Sequence, residues 1–477
     1  MVQQSIKQQT FNGIGWSSIE RFSLQGVSFV VQLILARLLT PSDYGIIGML
    51  AIFMQLAQVL IDSGFANALI RKQNCTQRDY STVFYYNLAF SVSIYIIFFF
   101  VAPFVANFYH MPTIVPVMRW ISITLIFNAL SIIPKTILIK DIDFKKQTLI
   151  SFISALISGT IGIISAFLGI GVWALVAQQI SLSVCMFVMY IFIVRWSPLF
   201  AFDRNVFKEL FNFGSKLLLS SIIGTIYKNL YTLFIGKKFS AIDLGYYTRA
   251  DHFAMFPSNN IGNIITRVAY PIFAKVQNDN SRLRTYYQQM IRYSSFIIFP
   301  LMIGLCAISE PFILFFLTEK WLGAVVILQI LCIDWMLDHI TLLNLNLLYV
   351  KGRSDLALKL EIIKKIIAIT ILIVSLRWGL IGVCWGRVAY SIIATVMNTY
   401  YTQKLIQLSF LQQMKDILPF MLVSMVMGIS VRLCITFIST PILQLFIGIL
   451  IGAIIYIGLS LIFFRNILIE LKSLIFQ

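Results

Sequence analysis

The chain has 477 residues, 59% of them hydrophobic and 12% charged, with a mean hydropathy of +0.87 and a formal net charge of +18. A soluble domain carries about 25% charged residues, so this composition excludes a soluble enzyme and fits a protein that crosses a membrane many times. The positive charge does not indicate nucleic acid, because the basic residues fall mainly in short loops between apolar segments.

A crossing needs about 20 apolar residues. Stretches of that size cover 12–38, 44–66, 80–106, 116–139, 149–168, 172–194, 213–237, 245–275, 283–308, 322–350, 356–378, 380–403, 416–437 and 441–464. The expected fold is an all-α polytopic membrane protein of about 14 transmembrane helices. Residues 1–12 are polar and lead directly into the first stretch, without the pattern of a cleavable signal peptide. Alternate loops hold Arg71, Lys72 and Arg78, then Lys140, Lys145 and Lys146, then Arg195, Arg204 and Lys208, and so on to Lys404 and Lys415. The opposite loops are poorer, with Lys237, Lys238, Lys320 and Arg377 as exceptions. This alternation places both termini in the cytoplasm.

Two segments repeat. Leu33, Asp43 and Gly45 match Leu233, Asp243 and Gly245 at one fixed offset, Phe11-Asn12 matches Phe211-Asn212, and Thr40 meets Ser240. The expected organisation is a six-helix lobe over 1–200, a second pseudo-symmetric six-helix lobe over 201–405, and a two-helix appendage over 406–477. Duplicated membrane halves usually face each other across a central pathway, which points to transport. In 195–212, Asp203, Arg204, Lys208 and Glu209 alternate with Val206, Phe207, Leu210 and Phe211, the pattern of a short amphipathic helix on the membrane surface.

A charge at mid-bilayer costs at least about 2.5–3.5 kcal/mol, so it normally faces a cavity or a partner. The first helix carries Arg21, Gln25, Ser28 and Gln32 on one face, and the seventh carries Ser221, Thr225, Lys228 and Thr232 at identical spacing. Each stripe holds one cation. Either the two line a cavity, or they are polar packing with Arg21 paired to Glu20. The eighth helix adds Arg249 and Arg267, which either meet an anionic ligand or serve as an ion-pair partner of Asp251 or Asp243 and as a snorkelling anchor. Asp62 continues a polar row with Gln55 and Gln58, and Asp334 and Asp338 lie one turn apart in the tenth helix. These carboxylates are candidates for ion coupling, or they neutralise cations on facing helices, with Arg387 a partner for the latter.

No catalytic or cofactor motif is visible. There is no G-x-x-x-x-G-K-[ST]. The three histidines are dispersed, and the six cysteines lie mostly inside apolar segments with no C-x-x-C spacing. No cofactor, metal or nucleic acid is therefore expected.

The stretch Ala36-Arg37-Leu38-Leu39-Thr40-Pro41-Ser42-Asp43-Tyr44-Gly45 resembles the hallmark of the bacterial polysaccharide flippases of the multidrug/oligosaccharidyl-lipid/polysaccharide exporter superfamily. Gly171-Val172-Trp173-Ala174, Leu244-Gly245-Tyr246-Tyr247-Thr248-Arg249, Glu310-Pro311-Phe312 and Glu319-Lys320-Trp321 extend the likeness from about residue 10 to 405. The resemblance implies alternating access and an undecaprenyl-diphosphate-linked oligosaccharide, flipped from the cytoplasmic to the periplasmic leaflet of the bacterial inner membrane. It implies membrane lipids as partners, with a polysaccharide polymerase and chain-length proteins as further ones. By the same resemblance Arg21, Lys228 and Arg249 are the cations that meet the diphosphate. One departure stands out: Asn229-Leu230 is followed by Tyr231, where related sequences tend to carry an acidic residue. An ion-coupled multidrug exporter of the same superfamily is the alternative, although a cationic cavity suits soluble cationic drugs poorly. A membrane enzyme or assembly scaffold of the same pathway is a third reading, disfavoured by short outer loops.

Overall fold

The computed structural model describes residues 25–465 and 467–470. Every regular element among them is a helix. In chain order these are α1 (Gln25–Leu38), α2 (Pro41–Asp62), α3 (Phe65–Arg71), α4 (Gln77–Tyr109), α5 (Ile114–Ile121), α6 (Ile123–Lys140), α7 (Phe144–Phe167), α8 (Val172–Val194), α9 (Arg204–Lys228) and α10 (Leu230–Lys238). They continue with α11 (Ala241–Lys275), α12 (Asn280–Ala307), α13 (Ser309–Phe316), α14 (Ala324–Met336), α15 (Asp338–Val350), α16 (Ser354–Ser375), α17 (Gly379–Ile406), α18 (Phe410–Ile435) and α19 (Pro441–Phe463).

Ten of the described helical stretches are long and apolar enough to cross a membrane, or up to 11 if a bent pair in α9 is one span. One of the ten, Ser354–Ile406, is 53 residues long, roughly 80 Å of helix against a hydrocarbon core of about 30 Å. Its halves α16 and α17 pack on each other, and the chain reverses at Gly379, whose φ of 73° suits glycine. The stretches expected as the seventh and eighth spans, now α9–α10 and α11, are diluted by Lys228, Arg249, Asp251, His252 and Arg267. Of the first, only α1 is described.

The chain forms two compact units, 1–245 and 246–477. In the first, α7 packs on α8, and α6 on α4 and α8. In the second, α12 packs on α18 and α14, and α18 on α19.

The repeat has a local structural cause. The Thr40 hydroxyl and backbone N–H both donate to Asp43 Oδ2, at 2.7 and 2.9 Å, and the Asp43 N–H returns to Thr40 Oγ1 at 3.4 Å. Ser240 and Asp243 make the same box at 2.7, 3.2 and 3.1 Å. Each box satisfies orphan N–H groups at a helix start and places a carboxylate at its positive end. The glycines explain the rest of the match. A Cβ on Gly45 would lie 1.8 Å from the Ala241 carbonyl oxygen, and one on Gly245 would lie 1.9 Å from that of Pro41. The two helix starts therefore cross backbone to backbone, each copy supplying the glycine that the other copy needs.

A second crossing lies in the same unit. Helix α2 breaks at Ser63 and Gly64, and a Cβ on Gly214 would sit 2.5 Å from the Ser63 carbonyl oxygen. Nearby, Arg204–Asn212 is bent by 53° from Leu217–Lys228. The apolar side of this bent segment, Val206, Phe207 and Leu210, packs on Phe65, Ala68, Leu69 and Val83. The amphipathic pattern is thus real, and Val206, Phe207 and Leu210 of its apolar face pack on protein while Phe211 stays exposed. Lys72 joins the segment to α4, reaching Glu209 at 3.0 Å and Asp79 at 3.3 Å. Burial pulls the Lys72 ammonium down, and the two carboxylates outweigh it, so its pKa stands above the ordinary lysine value.

Candidate functional site

In the first unit the polar row of α2 is spent on neighbouring helices. Gln55 Oε1 accepts from Asn229 Nδ2 at 2.8 Å, and Gln58 Oε1 accepts from Asn128 Nδ2 at 3.1 Å. Asp62 accepts from the Ala66 N–H at 3.4 Å and lies in the field of Lys135. In hydrocarbon these bonds replace water as partners for the amides. Lys228, the residue before Asn229, ends α9 exposed and makes no ion pair among the described residues. Gln25 is half-buried on α1, and Arg21 lies outside the described residues.

In the second unit the charges converge on Arg387 of α17. Its Nη2 meets Asp334 Oδ2 at 2.6 Å, and its Nη1 meets Asp251 Oδ1 at 2.8 Å and donates to the Tyr247 hydroxyl at 2.6 Å. Trp335 Nε1 donates to the same Asp251 oxygen at 2.8 Å, and the Ser391 hydroxyl donates to Asp334. The guanidinium lies 5.8 and 5.7 Å from the Tyr247 and Trp335 rings, within cation–π range. The fork geometry of arginine lets one side chain bind two carboxylates from different helices. Arg387 is therefore fully committed within the protein.

Asp334 is thus the structural partner of Arg387, in line with the neutralising reading of that residue. Asp338, one turn on, is half-buried and makes no ion pair among the described residues, with Lys364 attracting it and Asp334 repelling it. Lys364 itself is buried and bound to Glu361 at 2.5 Å. Asp251 and Asp243 are both engaged elsewhere, with Arg387 and with Ser240. Arg249 is half-buried and adjoins His252. Arg267 is exposed on α11, without an ion pair among the described residues. Sequence reasoning missed Tyr247, Asp251, Trp335 and Ser391 as members of the Arg387 cluster. The signal available was spacing: Tyr247 and Asp251, and Arg387 and Ser391, each stand four apart on one helix face.

Comparison with known proteins gives a consistent picture. Residues 34–326 match the family described as polysaccharide biosynthesis protein. The chain is 29% identical over 428 residues to the teichuronic acid biosynthesis protein TuaB of Bacillus subtilis, covering 89% of each. It is 25% identical over 404 residues to the lipopolysaccharide biosynthesis protein WzxC of Escherichia coli, covering 83% of this chain and 81% of that protein. Among solved structures it resembles the lipid II flippase MurJ in an inward closed conformation, with a TM-score of 0.76 and 17% identity, over 94% of this chain and 99% of the other. At that identity the likeness establishes the fold.

Proposed function

Since the chain belongs to the polysaccharide biosynthesis protein family, we propose that it flips an undecaprenyl-diphosphate-linked oligosaccharide from the cytoplasmic to the periplasmic leaflet by alternating access. The chain is a multi-pass protein of the bacterial inner membrane, and we place both termini in the cytoplasm. The observation that carries the proposal is near-full-length similarity to biosynthesis proteins of two different surface polysaccharides. The lobes 1–200 and 201–405 would rock against each other, with 406–477 as an appendage. A polymerase and chain-length proteins would receive the product.

In this proposal Arg21, Gln25, Lys228, Arg249 and Arg267 hold the diphosphate and acidic sugars, while the lipid tail stays in the bilayer. Guanidinium and ammonium groups pair strongly with phosphate and need no covalent step. Lys228 has the clearest support, through its exposure and its lack of an acidic partner among the described residues. Asp338 is the leading candidate for ion coupling, with Asp62 second. Asp334 would act only by exchanging Arg387 for a proton or sodium ion.

Lys228→Ala and Arg249→Ala, and likewise Arg21→Ala, are expected to lower surface polysaccharide export by about tenfold or more each, the loss of one charge-assisted phosphate contact. Export is read as surface saccharide per cell at matched membrane protein level. Unchanged export in all three would overturn the cationic site.

A further inference from the structure

The bent start of α9 packs Val206, Phe207 and Leu210 on protein, yet the stretch before it does the opposite. Residues 196–203 run without regular structure, and Phe200 is fully exposed (101%), flanked by Leu199 and Phe202, each about half exposed. This stretch is not loose. Gln77 Nε2 donates to the Ser197 carbonyl at 2.5 Å and Trp196 Nε1 donates to Gln77 Oε1 at 2.9 Å. The Leu199 N–H donates to Ser81 Oγ at 2.8 Å, and the Asp203 N–H to Thr82 Oγ1 at 3.1 Å. The chain thus holds three large apolar side chains outward on a fixed platform.

Its depth follows from α4. That helix has 33 residues, so it is about 50 Å long against a hydrocarbon core of about 30 Å. Centred in the bilayer, it overhangs by about 10 Å at each end. Tyr85, whose ring is edge-on to Phe200 with centroids 5.6 Å apart, lies about 12 Å from the start of α4. On that placement Phe200 would be level with the boundary between headgroups and acyl chains, where aromatic side chains are favoured. Arg195, Arg204 and Lys208 flank it in the sequence, all exposed. Of the nearby carboxylates, Glu209 is bound to Lys72, and Asp203 caps α9 through the Asn205 and Val206 N–H groups.

We propose that residues 199–202 form a lipid-inserting wedge, with Phe200 at its tip and Arg195, Arg204 and Lys208 as a collar for anionic phospholipid headgroups. The wedge anchors the connector and the start of α4 to the leaflet as one piece. It does not depend on the cargo, so its test is separate from any transport reading.

The test attaches a nitroxide at Phe200→Cys in an otherwise cysteine-free, full-length protein and measures its immersion by power saturation. One set of vesicles is phosphatidylglycerol-rich and another is phosphatidylcholine alone. The expected result is a label reachable by oxygen and shielded from a water-soluble nickel complex, and deeper in the anionic vesicles. Arg204→Gln combined with Lys208→Gln should lower phosphatidylglycerol enrichment around the label about fivefold per charge removed. A label reachable by the nickel complex in both vesicles, as for a surface awaiting a protein partner, would overturn the wedge. Equal depth in both vesicles would overturn the headgroup collar.

Discussion

Gly45→Ala and Gly245→Ala are each expected to lower translocation by about tenfold or more while helix content stays at the wild-type level. In each variant one methyl would lie within 2 Å of a carbonyl oxygen, at 1.8 Å for position 45 and 1.9 Å for position 245. That contact is backbone against backbone, and no flexible side chain can move aside. Overpacking of this kind costs roughly 1–3 kcal/mol, and about 1.4 kcal/mol is a tenfold change in a conformational equilibrium. Alanine is the better helix former, so poorer helix propensity cannot produce the loss. The controls are Gly224→Ala and Gly458→Ala, where a Cβ meets nothing within 4 Å. They should transport at the wild-type rate or above. If Gly45→Ala matched the controls in a vesicle transport assay, the crossing of the repeats would have no part in the cycle.

The second large effect concerns stability. Arg387→Gln should destabilise the protein by about 3–5 kcal/mol, the usual cost of stranding a buried carboxylate. Asp334 is the stranded group, with its side chain only 7% exposed, and Asp251 loses the same partner. Adding Asp334→Asn to Arg387→Gln should recover a substantial part, because the charge that lost its partner is then gone. Thermal unfolding in detergent, followed by loss of the monodisperse chromatographic peak, reads both. A protein with Arg387→Gln that melts with the wild type but fails to transport would contradict a structural role and assign Arg387 to the cargo.

These cases show what a sequence makes legible. The repeat was readable because Thr40, Asp43 and Gly45 do the same jobs as Ser240, Asp243 and Gly245: box, cap and crossing point. The membrane class was readable because lipid demands long apolar stretches. Partners across helices were not. Spacing tells which residues share a face, never which helix that face will meet. Asp251 stands two positions from Arg249, yet its cation is Arg387, 136 positions away. The connector shows the same limit. Val206, Phe207 and Leu210 announce an apolar face, and a hydrophobic period is identical whether lipid or protein covers it.

Movement of a lipid-linked saccharide between leaflets is the activity proposed for this chain. It is tested most directly by reconstituting the protein in vesicles carrying undecaprenyl diphosphate with a labelled oligosaccharide, and by following access of a membrane-impermeant reagent to the label. Label on the protected leaflet is expected to become accessible faster than in protein-free vesicles, and Lys228→Ala to slow this. Accessibility no faster than in protein-free vesicles, with folded protein present and a soluble organic cation moved instead, would contradict it and favour a drug exporter.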